Sequence, residues 1–186
     1  MAEAVDIARY LIKLAAAEPE PEYLSHMRLQ KLLYYVQGWS LAATGGQPAF
    51  DSAIEAWAHG PVVRRVYPLF ADYGDRPIPF HESSSDDLRK QVKDLVASVW
   101  EGYKQYSACA LRQKTHSEKP WQDARGALPP DESSDAEITI ESMQKFFEDE
   151  YRKQQIPGLE LEAMRRAEQG VAEGKIVSLD ELKQAI

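Results

Sequence analysis

Apolar side chains recur at three- and four-residue spacing over residues 4–16, where Val5, Ala8, Leu11, Ile12 and Ala15 line up on one face. That pattern predicts a helix packed against a core. The run EPEPE at residues 18–22 ends it, because each proline removes a backbone donor and restricts the residue before it. The densest stretch follows, over residues 27–70. Ser25 is placed to cap a second helix, and Leu29, Leu32, Leu33, Val36 and Trp39 form its buried stripe, leaving Arg28, Lys31 and Gln37 to reach water. Tyr34 and Tyr35 do not both fit that stripe, so at least one is expected to serve a second contact. Gly45-Gly46 stops the helix. Residues 53–58 alternate enough for one short strand. Gly60 then permits a reversal, and Pro61 suits the first position of a helix carrying Val63, Val66, Phe70 and Tyr73, which Pro68 kinks or shortens.

Downstream, residues 83–86 offer several N-caps to a long helix over about 87–106, with Leu88, Val92, Leu95, Val96, Val99 and Tyr103 inward. Ser107 caps a short helix through Leu111. Thr115 and Glu118 have capping-box spacing, with Ser117 as a competing cap, for a helix holding Pro120 and Trp121 that stops near Gly126. Residues 127–137 read as a loop or linker. Thr139 caps a helix with Met143, Phe147 and Tyr151. Residues 154–158 form a hinge, followed by a helix near 159–169, an apolar Ile176-Val177 step and a capping box at 178–181. The expected architecture is mainly α: a compact helical domain over residues 1–153 with one or two short strands, and a small helix-strand-helix tail over 154–186. A unit as small as the tail buries too little surface alone, so it is expected to dock on the main domain, a second chain or a partner.

Composition adds constraints. A chain of 186 residues can enclose one full core plus an appendage. With 22 basic and 30 acidic residues its net charge is −8, which counts against nucleic acid as the main ligand. A single cysteine, Cys109, leaves no internal disulfide framework or cysteine-based metal cluster. The first residues lack a basic segment ahead of an unbroken apolar run, and no run approaches the roughly 20 apolar residues of a membrane span, so a cytoplasmic location is expected.

Three blocks carry a resemblance. LQKLLYYVQGW at 29–39, IEAWAHGPVVRRVY at 54–67 and THSEKPW at 115–121 occur in order at sensible separations, and the chain over about 4–152 resembles the Panacea domain, also known as the SocA-like or phage-associated GepA family. The resemblance implies a helical fold and an antitoxin role against a cognate protein toxin. In one branch it implies an adaptor that presents the toxin to the ClpXP protease. It implies no catalytic site and no cofactor. The tail separately resembles the ends of other bacterial antitoxins, in which a helix, a G-x-x-x-G-K/R-x-V step and a final helix wrap a toxin.

The residues expected to contact a partner are Tyr35, Trp39, Trp57, His59, Arg64, Arg65, Tyr67, His116 and Trp121, with Leu159, Met164, Ile176 and Val177 in the tail. Tryptophan is enriched at interface hot spots, although more often it is core. Of Trp39, Trp57 and Trp121, two are expected to be buried and one at least half exposed. His59 is read as pinning the turn into the Pro61 helix, His116 as satisfying a helix terminus, and Arg64-Arg65 as a solvated pair able to meet an acidic partner. A competing class is a small hydrolase or metal enzyme using His59, His116 and Cys109. It requires the three to converge, and no helix is expected to run from Cys109 to His116. The histidines at 26, 59, 81 and 116 show no metal-binding spacing, and no phosphate-binding loop is present. A third class, an autorepressing DNA binder, lacks a basic recognition helix.

Overall fold

The computed structural model describes residues 2–19, 24–81 and 88–153. Among the described residues the fold is mainly α, as the periodicity predicts. Seven helices run in order: α1 (Ala4–Ala16), α2 (His26–Thr44), α3 (Tyr67–Phe70), α4 (Lys90–Tyr103), α5 (Ala108–His116), α6 (Lys119–Arg125) and α7 (Ile140–Arg152). Between α2 and α3 lies an antiparallel pair, β1 (Ile54–Trp57) and β2 (Gly60–Val63). The expected tail elements over 154–186 and the caps at 83–86 lie outside the described residues.

Helix α2 is the spine. It starts where the Ser25 hydroxyl accepts from the Arg28 amide at 3.4 Å, ends at Gly45 with φ 72°, and packs against α1, α4, α5, α7 and β2. Every residue from Arg28 to Ala43 is buried, so the expectation that Arg28, Lys31 and Gln37 reach water is corrected. Their polar ends find backbone groups instead. Gln37 Oε1 accepts from the amides of Ala49 and Phe50 at 2.9 and 3.3 Å, and its Nε2 donates to Phe50 O at 3.1 Å. Lys31 Nζ donates to Pro61 O at 2.9 Å, and Arg28 donates to Lys104 O. A buried polar group is tolerated when paired, and here each one ties α2 to a segment without regular structure of its own, or to the β pair.

Both tyrosines of α2 are absorbed by the core. Tyr35 stacks on Tyr103 with centroids 4.0 Å apart, and Tyr34, Tyr35 and Trp39 present edge-on to Phe147 of α7. Phe147 reaches them because α2 carries Gly38 at the crossing: a Cβ there would stand 2.0 Å from Phe147 Cε2.

The helix expected from Pro61 is a β-strand instead. Residues 60–63 pair with 54–57 in the register Trp57↔Gly60, Ala56↔Pro61, Glu55↔Val62, Ile54↔Val63, closing a hairpin over Ala58-His59. Pro61 is accepted because Ala56 opposite it directs its amide away, to Ala136 O at 2.8 Å, so the missing donor leaves no gap in the ladder. Ile138 N donates to Ile54 O at 2.8 Å, which lays the end of the 127–137 segment along the free edge of β1. That segment is a loop, as expected, but it is pinned rather than a free linker. Two more boundaries differ. Helix α4 is shorter than 87–106. Helix α5 runs on to His116 because Leu111 and Thr115, four residues apart, are both fully buried. Thr115 therefore caps nothing: its hydroxyl donates back to Arg112 O at 3.0 Å, Ser117 does the same to Lys114 O at 2.7 Å, and α6 begins after Glu118.

Candidate functional site: the buttressed hairpin

Four side chains from distant parts of the chain hold the hairpin. Lys31 Nζ reaches Pro61 O, and Gln30 Oε1 accepts from Val63 N at 2.8 Å. Trp121 Nε1 donates to Trp57 O at 2.9 Å, and Arg125 donates to Ala56 O at 3.0 Å. Arg125 also donates to the carbonyls of Pro129, at 2.6 Å, and Glu132, at 2.7 Å, which fastens the loop beside the hairpin. The His116 ring stacks on Trp121 at 4.0 Å and 10°. Thus LQK, HGP and THSEKPW, separated in sequence, meet at one place. Gly60 is the point of closest approach: its φ is 95°, and a Cβ on it would lie 2.6 Å from Lys31 Cε and 2.9 Å from Thr115 Oγ1.

The outer side of the hairpin borders a concavity of about 800 Å³. His26, Lys31, Trp57, Arg64 and Tyr67 line it, together with Asp131 and Asp135. The Tyr67 ring lies 4.7 Å from Trp57 and 4.5 Å from His26, a short aromatic row. Glu55 organises the polar rim, accepting from Trp57 Nε1 at 2.6 Å and from Arg64 Nη1 at 3.2 and 3.1 Å. Arg64 is thus held in one orientation while its side chain stays 64% exposed, so it can serve an incoming partner at reduced conformational cost.

Charge inside this site is suppressed. Burial pushes the Lys31 ammonium down to about 7, and the nearby Arg112 pushes the same way. His116 falls to about 4, first through burial and then through the positive field of Arg112, Lys31, Arg125 and His59. His26 is lowered by burial and by Lys31. Glu118 moves oppositely, raised to about 7 by burial against the pull of Lys114 and of the Tyr35 hydroxyl, which donates to it at 2.9 Å.

The expected partner-contact residues divide by depth. Tyr35, Trp39 and Trp121 are buried and shape the scaffold. Trp57 and Tyr67 are half-buried, so none of Trp39, Trp57 and Trp121 reaches half exposure. His59, Arg64 and Arg65 are exposed, and Arg65 pairs with Glu3 at 3.3 Å. His59 makes no hydrogen bond among the described residues, so the turn is pinned not by its imidazole but by Lys31, Gln30 and Trp121. His116 ends α5 but satisfies no helix terminus with its ring, whose Nε2 is buried without a hydrogen bond. Leu159, Met164, Ile176 and Val177 lie outside the described residues.

The hydrolase arrangement is not assembled. One helix does connect Cys109 and His116, contrary to expectation, but their seven-residue separation spans about 10 Å of helix rise. Cys109 is exposed in the first turn, and the His116 ring is stacked against Trp121. Among the described residues no three His, Cys, Asp or Glu are grouped to hold a metal ion, and no helix is long and apolar enough to cross a membrane.

Sequence reasoning missed Gln30, Lys31, Gly38, Glu118 and Arg125. The signal for the first two was present but slight: polar residues inside an otherwise apolar helical run.

A helical scaffold built around a presented hairpin makes this site a candidate binding surface. The chain belongs to the antitoxin SocA-like, Panacea domain family, whose model matches residues 29–122. That match takes in the hairpin, Gln30, Lys31 and Trp121. Membership supports an antitoxin role with a toxin as partner, and suggests a non-enzymatic one. No curated protein and no solved structure matches the chain.

Proposed function

We propose that this protein neutralises its cognate protein toxin by direct contact, through the hairpin and the concavity that Trp57, Tyr67 and Arg64 border. The observation that carries the reading is the convergence of all three family blocks on that hairpin. Backbone groups held by Lys31, Gln30, Trp121 and Arg125 give the surface a rigid base, so little conformational entropy is lost on binding. Half-buried aromatics beside an oriented arginine are the residue types that dominate protein–protein affinity. Residues 154–186 extend the contact as an appendage to the domain of residues 1–153.

Co-expression with the product of the adjacent reading frame tests this. The neighbour is expected to arrest growth alone, to be harmless with this protein, and to recover toxicity when Trp57→Ala and Arg64→Glu are combined. A neighbour that is harmless by itself, or full protection by the double variant, contradicts the reading. Delivery to ClpXP leaves a separate signature: the toxin's half-life falls in the presence of this protein and returns when the protease is deleted. Neutralisation with an unchanged half-life would leave occlusion as the whole mechanism.

A further inference from the structure

A second concavity, of about 150 Å³, opens where α4, the α5–α6 junction and α7 meet. Tyr103, Tyr106, Phe146 and Phe147 line it, beside the polar side chains of Gln105 and Lys114. Glu118 also lines it and is only 5% exposed. One oxygen of that carboxylate is used, Oε1 accepting from Tyr35. The other, Oε2, is buried without a hydrogen bond. Leaving such an acceptor unpaired is costly, and the cost is recovered by any donor that enters the pocket. Two internal groups compete for the role. Lys114 Nζ stands 3.8 Å from Oε1, beyond hydrogen-bonding reach, on a side chain 42% exposed. The Tyr34 hydroxyl interacts with the same carboxylate but likewise lacks a hydrogen bond of good geometry. A second carboxylate, Glu150, lines the pocket and pairs outward with Lys153 at 3.1 Å.

Rings on the walls, one buried carboxylate whose Oε2 lacks a hydrogen bond of good geometry and a second carboxylate beside it form a receptor for a cation on an apolar stem. The rings flank its stem, Glu150 supplies counter-charge, and Glu118, which burial keeps protonated up to about 7, gives up its proton as the cation enters. The volume admits one unbranched side chain and excludes a nucleotide or a large ring system. We propose that this pocket binds an aliphatic ammonium group, with Glu118 as the principal acceptor. The same chemistry is offered by a lysine side chain of a protein partner and by a free diamine. The inference does not depend on the antitoxin reading, because it concerns a different cavity and a ligand that can be supplied alone.

The test is an NMR titration of the full chain, following the Trp39 indole and Tyr103 ring signals. The probes are Nα-acetyl-lysine N-methylamide, its Nε-acetylated form, the norleucine analogue and cadaverine. The lysine amide or cadaverine is expected to give saturable shifts, while the Nε-acetyl and norleucine forms give none. Tighter binding of the lysine amide assigns the site to a protein side chain, and tighter cadaverine to a free amine. Glu118→Gln should weaken binding about tenfold, Glu150→Gln less, and Lys114→Met should strengthen it by removing the internal competitor. Should Glu118→Gln not fold, Glu150→Gln and the uncharged analogues decide alone. Absence of saturable shifts from both amines, or equal shifts from norleucine, overturns the proposal.

Discussion

Lys31 and Glu118 are ionisable groups buried where water does not solvate them, and each is displaced toward its neutral form, which makes stability depend on pH in opposite directions. Glu118 holds its proton up to about 7 in the fold, against 4.5 when unfolded. Its contribution is therefore complete below pH 4.5 and is lost as pH rises to 7, on the order of 3 kcal/mol. Lys31, lowered from 10.5 to about 7, behaves conversely. Its fold prefers the neutral amine, so stability rises between pH 7 and 10.5 and is lost as pH falls through 7. His116, lowered from 6.5 to about 4, adds a rise between those values that opposes the Glu118 loss. Melting curves across this range separate the three. Glu118→Gln should make stability climb more steeply from pH 4.5 to 6.5 than in the parent, and Lys31→Met should flatten the climb above pH 7. Curves parallel to the parent in both variants would show that these groups are not the source of the pH dependence.

Among the elements, the α2–α7 crossing and the hairpin are where single atoms matter most. Gly38→Ala pushes a methyl into the Phe147 ring, where overpacking costs about 1–3 kcal/mol, several degrees in a domain of this size. Phe147→Leu on that background should recover part of the loss, and a Gly38→Ala melting point equal to the parent's would show that the crossing is not tight. Helical periodicity made α1, α2, α4 and α7 legible from the sequence, and Ser25, Ser107 and Thr139 were legible as caps because their hydroxyls act on amides three residues ahead. The hairpin was only half legible. Proline after glycine is a sound local helix start, but here Gln30, Lys31, Trp121 and Arg125 bind the backbone of residues 56–63 as a strand, and no local pattern carries that information. Thr115 misled in the same way: its capping-box spacing is real, yet its burial beside Gly60 keeps it inside α5.

At the scale of the molecule, three sequence blocks that looked like separate signatures prove to be one structural unit, a hairpin and its buttresses. The candidate contact residues were legible as types, but their depth in the fold was not. Trp39 and Trp121 read as interface candidates from composition, whereas burial assigns them to the scaffold and leaves Trp57, Tyr67, His59 and Arg64 on the surface side. Truncation after Lys153 is expected to leave thermal unfolding of the main domain unchanged while weakening toxin binding, and unchanged neutralisation by the shortened chain would show the tail to be dispensable. The most direct measurement is the affinity of the purified protein for the product of the adjacent reading frame, by calorimetry, for the parent and for Trp57→Ala. A hot-spot residue is worth at least about 2 kcal/mol, so binding should weaken roughly 30-fold with the melting temperature preserved. Equal affinities in a folded variant would contradict a toxin-binding hairpin.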